Sequence, residues 1–264
     1  MSRILVTGGT GHLGRDLVSH LVSQGRDVRL FSLKPGTSKS VEWAQGDLAT
    51  GEGLVNAMRG VETVLHAATL SPIAKRGVRP SDFFTSPSTV DVDGTRHLLE
   101  ASSDAGVKHF LFVSIVGLEF TSLPYARVKL TGEQLVKQSL LPWSVVRATP
   151  YYYLMAQMLG GLRWLPVWPL PAIPTNPVDT TDVAHYLAEC LDDGKRGIRA
   201  EIGGPETMTF AEFGRQFKRA KGFHRLVASI AVSEKAGLRM GFVKTDERKG
   251  VKTWSTWLRE QQSR

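Results

Sequence analysis

The chain has 264 residues, 42% of them hydrophobic, and a net charge of +8 from 33 Lys and Arg against 25 Asp and Glu. This composition is typical of a globular protein with a sizeable core. The single cysteine, Cys190, excludes an internal disulfide and favours a reducing compartment, so we expect a cytoplasmic protein. No apolar run is long enough for a membrane span. The late basic stretches lack regular aromatic residues and any zinc signature, so we expect neither a nucleic-acid partner nor a metal.

Strand-like and helix-like patterns alternate along the first 150 residues, with short links between them. Strands are expected at residues 3–7, 28–32, 41–48, 61–68, 107–114 and 142–149. Helical spacing of apolar residues begins at His12, recurs near 53–60, and runs from about Val90 to Ala105 and from about Tyr125 to Lys137. This alternation predicts an α/β fold with a doubly wound parallel sheet, the Rossmann architecture.

The sequence after Pro150 is rich in aromatic residues and prolines and then returns to a helical pattern. We see no linker that would separate an independent unit. We therefore expect residues 1–264 to form a single Rossmann domain, with residues about 150–175 and 204–264 contributing a small C-terminal substrate-binding cap.

The stretch TGGTGHLG, residues 7–14, places a glycine-rich turn between the first strand and the first helix. Its GxxGxxG spacing allows a tight turn, a close approach of a diphosphate to the backbone and close packing of helix on strand. Free N–H groups at the start of the helix would donate to the diphosphate. The residues expected to bind a cofactor here are Gly8, Thr10, Gly11, His12, Leu13 and Gly14.

The second strand ends in VRLFSLKPG, without the acidic residue that grips the ribose hydroxyls of NAD. Ser32 and Lys34 offer a hydroxyl and an ammonium for a 2′-phosphate instead. We therefore expect NADP(H) to be preferred, with NAD(H) as the alternative. Four further residues at strand ends are expected to line the cofactor: Asp47, Leu48, Ala67 and Ala68.

A catalytic group is predicted from Tyr125 and Lys129, which lie four residues apart and so on one face of a helix. An ammonium beside a phenol favours the phenolate and would lower the pKa of the tyrosine. Ser114 ends the fifth strand, at the edge where ligands of open α/β sheets bind. Its hydroxyl would hold a substrate oxygen against Tyr125.

The motifs TGGTGHLG, GDL, HAA, VDVDGTRHLLEA, VSIVG, YARVK and VVRAT follow one another in this order. Together they resemble the atypical, NmrA-like branch of the short-chain dehydrogenase/reductases, over residues 3 to about 215. The resemblance implies that Ser114, Tyr125 and Lys129 are catalytic and that the lysine also holds the nicotinamide ribose. It implies hydride transfer from NADPH, with Tyr125 supplying the proton. Asp91 stands where the family commonly has Asn.

On this basis we expect an NADPH-dependent reductase of a carbonyl, quinone or similarly conjugated small molecule. Tyr151, Tyr152 and Trp164 could line an aromatic substrate pocket or simply pack the cap on the sheet. Two other functions stay open: a dinucleotide-sensing regulator without turnover, and an epimerase or isomerase that retains its cofactor. A homodimer is compatible with the fold.

Overall fold

The computed structural model describes residues 2–70 and 86–262. Its centre is a seven-stranded sheet in the order β3-β2-β1-β4-β5-β6-β9, with every neighbouring pair parallel. The strands of this sheet are β1 (Arg3–Thr7), β2 (Val28–Ser32), β3 (Glu42–Gln45), β4 (Val61–His66), β5 (His109–Ile115), β6 (Trp143–Ala148) and β9 (Gly197–Ile198).

Helices connect these strands and cover both faces of the sheet. In chain order they are α1 (His12–Ser23), α2 (Leu54–Ala57), α3 (Gly94–Asp104), α4 (Pro124–Gln138), α5 (Tyr152–Gly161), α6 (Thr180–Asp192), α7 (Phe210–Ala220), α8 (Glu234–Arg239) and α9 (Trp254–Glu260). A single π-helical turn, Thr89–Asp93, leads into α3. The predicted doubly wound α/β fold is confirmed.

The direction of winding reverses between β1 and β4. From β1 the chain moves outward to β2 and β3, and it then returns to β4, on the other side of β1, and continues to β5 and β6. Ligands of open α/β sheets bind in the crevice that such a reversal opens at the carboxyl ends of the strands. The glycine-rich turn after β1 and the residues after β4 both lie at this crevice.

Two apolar clusters fix the helices on the sheet. On one face, Leu17 and Leu21 of α1 pack with Val183 and Leu187 of α6. On the other face, residues of α3 and α4, including Leu98 and Val136, pack against Phe110 and Phe112 of β5. Because β1 and β5 are buried on both faces, the centres of their sequences, ILV and FLFV, are continuous apolar runs.

A third apolar cluster forms the cap beside the sheet. Tyr152 of α5, Trp168 of β7 (Val167–Pro171), Phe213 of α7 and Trp254 of α9 are all fully buried in it. β7 pairs with β11 (Leu226–Ile230), and β8 (Pro174–Thr175) pairs with β10 (Met208–Thr209). The chain between β8 and β10 returns to the sheet, where it forms α6 and β9. The C-terminal half of the chain therefore contributes to both the cap and the sheet.

A buried histidine links β5 to β6. His109 Nε2 lies 2.9 Å from Ser144 Oγ. Burial, together with the nearby Arg196 and Arg199, lowers the pKa of His109 to about 4. The unfolded chain would take up a proton on this histidine below pH about 6.5, whereas the folded chain resists it until pH about 4. His109 therefore makes the folded state less stable as the pH falls through this window.

We expect His109→Gln, which keeps a donor near Ser144 but cannot titrate, to reduce the pH dependence of stability between pH 6.5 and 4. As the pH is lowered through that window, the free energy of unfolding should fall more steeply for the parent than for the variant. The difference in slope is roughly 1 kcal/mol per pH unit at most. Urea unfolding at a series of pH values measures the difference. Parallel curves for parent and variant would contradict the assignment.

Candidate active site

The glycine-rich turn is held by close backbone packing. Gly8 has φ +78°, which favours glycine, and a Cβ there would lie 2.5 Å from the backbone nitrogen of Ala68. A Cβ on Gly14 would overlap the carbonyl oxygen of Gly8. Glycine at these two positions lets the turn, the end of β4 and the start of α1 approach one another. Ala67 and Ala68 therefore lie directly against the turn.

The start of α1 offers a binding site for an anion. Gly11 is its N-cap residue, and no side chain of the described residues caps the helix there. A Cβ on Gly11 would lie 3.3 Å from Gly8 O, and Thr10 and His12 are exposed beside it. The N–H groups and the helix dipole favour a phosphate at this position. Leu13 packs its side chain into the core, which leaves only its backbone for a ligand.

The residues expected to hold the adenosine end lie at the ends of β2 and β3. Ser32 Oγ donates to the carbonyl of Lys34 at 2.6 Å, and the Lys34 side chain is exposed. Asp47 accepts a hydrogen bond from the backbone of Ala49 at 2.8 Å, and Leu48 is buried against Gly94. The exposed Lys34 follows β2, and the first carboxylate after this strand is Glu42. The set of residues fits a dinucleotide.

His66 at the end of β4 is a neutral structural residue. Its Nδ1 lies 2.6 Å from Thr7 Oγ1, and its Nε2 lies 3.0 Å from Thr95 Oγ1. Burial and the nearby Lys129 lower the pKa of His66 to about 3. Both ring nitrogens are therefore engaged, and the ring is uncharged at neutral pH.

Four side chains meet where β4 ends, beside α4 and the π-helical turn. The hydroxyl of Tyr125 lies 3.0 Å from Thr69 Oγ1, and Thr69 donates to Asp91 Oδ1 at 2.7 Å. Asp91 Oδ2 accepts from the backbone of Leu70 at 2.9 Å, and Lys129 Nζ lies 3.5 Å from Asp91 Oδ1. Lys129 also lies over the Phe112 ring, 4.6 Å from its centre. Tyr125 and Lys129 thus share one partly buried, hydrogen-bonded cluster.

The electrostatics of this cluster differ from the sequence-based expectation. Burial and the negative charge of Asp91 raise the pKa of Tyr125 instead of lowering it. Burial lowers the pKa of Lys129, and Asp91 partly compensates. The expectation considered only the ammonium of Lys129, whereas in the structure Asp91 pairs with that ammonium. Tyr125 is therefore a neutral phenol at physiological pH.

Ser114 has a side-chain partner that the sequence did not indicate. Its hydroxyl is buried and donates to Glu133 Oε2 at 2.6 Å. Glu133 is fully buried and also binds Arg147 at 2.7 Å and Lys137 at 2.5 Å. Burial alone would raise the pKa of Glu133, but hydrogen bonds from Arg147, Lys137 and Ser114 outweigh it and lower that pKa. The hydroxyl beside Tyr125 belongs to Thr69.

The aromatic residues after β6 divide between pocket and core. Tyr153 stacks on His12 of the glycine-rich turn at 4.1 Å between ring centres, and Tyr151 stacks on Tyr153 at 5.8 Å. Tyr152 instead lies in the core of the cap and donates to the carbonyl of Lys252 at 2.9 Å. Trp164 is 73% exposed on the cap surface. Of the three residues expected to contact substrate, the structure brings Tyr151 alone to the turn, together with Tyr153.

A family model described as NAD(P)H-binding matches residues 8–194, more than two thirds of the chain. The chain belongs to this family. This match, and the likeness of the fold to a short-chain dehydrogenase/reductase superfamily protein described below, agree with the resemblance that the motifs indicated. In general terms, its homologues support an NAD(P)-dependent oxidoreductase.

Two curated relatives illustrate the range of the family. Photosystem II assembly factor Ycf39 of Trieres chinensis is 31% identical over 71% of this chain and 59% of its own length. The (4-alkanoyl-5-oxo-2,5-dihydrofuran-3-yl)methyl phosphate reductase of Streptomyces griseus is 28% identical over 83% of this chain and 74% of its own length. The chain spans less than two thirds of the length of Ycf39.

Among solved structures, a short-chain dehydrogenase/reductase superfamily protein of Agrobacterium tumefaciens with bound NAD aligns with a TM-score of 0.73. The alignment covers 99% of this chain and 98% of that one, at 22% identity, so the two share the fold. Within the part of the chain that the structure describes, no helix has the length and apolar character needed to cross a membrane.

Sequence reasoning missed two residues of this candidate site. Thr69 directly follows the HAA motif, and Glu133 lies four residues after Lys129 on α4. The spacing of Glu133 from Lys129 was a signal that both lie on the same face of the helix. Nothing in the local sequence indicates that Thr69 contacts Tyr125, because that contact joins residues 56 positions apart.

The contacts of Ser114 predict a structural effect of its removal. Ser114→Ala takes away one of the donors to the buried Glu133, and we expect the free energy of unfolding to fall by about 1 kcal/mol. Urea unfolding measures this, with Ser114→Thr as the variant that keeps the hydroxyl. Unchanged stability together with a collapse of turnover would show instead that Ser114 acts on the substrate.

Proposed function

We propose that the protein is an NADPH-dependent reductase of carbonyl, quinone or similarly conjugated small molecules, with Tyr125 as the proton donor. The observation that carries this proposal is the joint position of Tyr125 and Lys129, which share one hydrogen-bonded cluster at the crevice of the sheet. The uncapped start of α1 opens onto the same crevice. This shared position supports the proposal that the start of α1 binds a dinucleotide and that Tyr125 transfers a proton.

Each group of the site has a role in this reaction. The bound dinucleotide supplies a hydride. The start of α1 would bind the diphosphate, and Lys129 would hold the nicotinamide ribose, as the family resemblance implies. The proton on Tyr125 Oη moves to the substrate oxygen as negative charge develops there, which leaves a phenolate near the Lys129 ammonium. Proton and hydride together account for the two-electron reduction.

The substrate wall that we propose consists of Tyr151, Tyr153 and His12. Burial raises the pKa of Tyr153 to about 12, so its ring remains an uncharged surface. Stacked, half-buried rings favour a flat, conjugated ligand. The similarity to a reductase of a dihydrofuranyl phosphate supports a conjugated substrate class. We retain Trp164 as a residue at the outer rim, since its ring is exposed.

We also propose that the protein acts in the cytoplasm. Cys190 is fully buried in the helical core, and burial raises the pKa of its thiol. Such a thiol is suited to a reducing compartment and has no role in the proposed reaction.

The first test measures the consumption of NADPH in the presence of quinones, aromatic ketones or enones. The readout is the loss of absorbance of the reduced cofactor. Tyr125→Phe keeps the ring but lacks the proton, so we expect kcat to fall roughly 10²–10⁴-fold. The affinity for NADPH, measured by calorimetry, should stay unchanged.

The control is Tyr186→Phe, since Tyr186 lies on α6 and donates to the carbonyl of Ala200 at 2.9 Å. This variant should retain turnover. Tight NADPH binding by all three proteins, without turnover on any substrate, would favour a dinucleotide sensor over a reductase.

The cofactor preference has its own test. We expect Lys34→Ala to raise KM for NADPH about fivefold, the effect of one exposed ion pair, and to leave KM for NADH unchanged. Lys39→Ala, a second exposed lysine in the same loop, is the matched control. An equal effect on both cofactors, or on neither, would show that Lys34 does not contact the 2′-phosphate.

A further inference from the structure

The basic residues of the cap lie in two segments that contain no acidic residue. Neither residues 151–178 nor residues 213–233 include an Asp or a Glu, whereas the second segment includes five Lys and Arg. Within residues 150–262, all of which the structure describes, the cations that pair with a carboxylate are Arg199, Lys249 and Lys252, and these lie outside both segments. The two segments therefore carry a positive charge that ion pairs do not neutralise.

The starts of β7 and β11 bring three exposed apolar side chains to one edge of the cap. Leu226 pairs with Val167 in the parallel ladder, and its backbone N–H donates to the carbonyl of Pro166 at 3.3 Å. Trp164 lies two residues before Pro166. The exposed fractions are 73% for Trp164, 70% for Leu226 and 41% for Val167. Apolar side chains that are exposed side by side within a polar rim indicate an interaction surface.

Three cations surround these apolar side chains. Arg225 directly precedes Leu226, and its Nε donates to the carbonyl of Arg163 at 3.3 Å. Arg163 in turn directly precedes Trp164. Lys218 of α7 donates through Nζ to the carbonyl of Arg225. Because each of these hydrogen bonds goes to a neutral carbonyl, the charge of each cation stays uncompensated. We call the whole set the cap edge: Arg163, Trp164, Val167, Lys218, Arg225 and Leu226.

The composition of the cap edge favours a lipid surface over other partners. Trp and Leu beside Arg and Lys are typical of proteins that lie at a membrane interface, where apolar side chains enter the lipid and cations meet the head groups. If the cap edge met a second copy of itself, cations would face cations. A nucleic acid would leave Leu226 and Val167 without a role, and the cap edge has a single aromatic ring on which a base could stack.

We propose that the cap edge binds the surface of a membrane that contains anionic lipids. In this arrangement Trp164, Val167 and Leu226 enter the interface, and the three cations contact the lipid phosphates. Such binding is peripheral and needs no spanning helix. For a protein in the cytoplasm, as proposed above, the partner is the cytoplasmic leaflet, which carries anionic lipids. The inference concerns the outer surface of the cap and does not depend on the proposed reductase function.

Cosedimentation of the full-length chain with vesicles tests the proposal. We expect binding to vesicles of phosphatidylcholine mixed with phosphatidylglycerol, and this binding should weaken with added salt and with omission of phosphatidylglycerol. Leu226→Ser should weaken binding roughly tenfold, because it removes one inserted apolar side chain. Arg163→Gln/Arg225→Gln should weaken binding about 25-fold, or about fivefold for each cation.

Leu140→Ser and Lys108→Gln are the matched controls. Leu140 is fully exposed in the link between α4 and β6, and the Lys108 side chain is 70% exposed beside β5, so both lie outside the cap. These variants make the same chemical changes and should bind vesicles as the parent does. Urea unfolding of every variant shows whether it folds like the parent.

Quenching by lipids that are brominated in their acyl chains gives a second measurement, at saturating vesicle concentration. Bromine quenches tryptophan fluorescence only at short range, and Trp168 and Trp254 are fully buried in the cap. The emission of the parent should therefore fall on binding, and Trp164→Phe should lose most of this decrease. Equal quenching in the parent and Trp164→Phe would contradict the proposed orientation.

Several outcomes of the vesicle experiment would overturn the inference. They are absence of binding to the anionic vesicles at low salt, and equal binding by the parent and a folded Leu226→Ser. Tighter binding of the parent to double-stranded DNA or RNA than to vesicles, unaffected by Leu226→Ser, would assign the cap edge to a nucleic acid instead. A dimer in solution that Leu226→Ser dissociates would assign it to a second copy of the chain.

Discussion

The contact between Gly8 and the end of β4 is the constraint on which the site depends. Because Gly8 has a positive φ and no Cβ, the turn after β1 can lie against the backbone of Ala67 and Ala68. β4 is the strand at which the sheet changes its winding direction, and Thr69 follows directly after it. One backbone contact therefore sets the distance between the start of α1 and the cluster around Tyr125, the two parts that the proposed reaction brings to one dinucleotide.

Buried charges around this crevice occur in compensated groups. Lys129 is paired with Asp91, and Glu133 with Arg147 and Lys137. An unpaired charge at these depths would cost several kcal/mol, so each group stabilises the fold only while it is complete. The two groups lie one helical turn apart on α4. The same helix carries Tyr125, the proposed proton donor, beside side chains whose charges are paired within the protein.

The parts of the site that local sequence determines were predictable. The glycine spacing requires bare backbone, and the spacing of Tyr125 and Lys129 on a helix places them on one face. The partners of these residues were not predictable, because they come from distant segments: Thr69, which follows β4, contacts Tyr125. The same is true of Ser114. Its position at a strand end was predicted, but its side chain meets Glu133, which no motif indicated.

The substrate side shows why neighbouring residues of one type cannot be assigned from sequence. Tyr151 and Tyr153 lie two positions apart and meet at the glycine-rich turn, whereas Tyr152 between them is directed into the core of the cap. Tyr151 is the extended N-cap residue of α5, so successive side chains there point to opposite sides. What decides between them is Trp254, whose ring packs 5.2 Å from that of Tyr152 and comes from a helix about 100 residues later. The cap thus selects which tyrosines face the crevice, and a change in its core would alter the shape of the pocket without touching a residue that lines it.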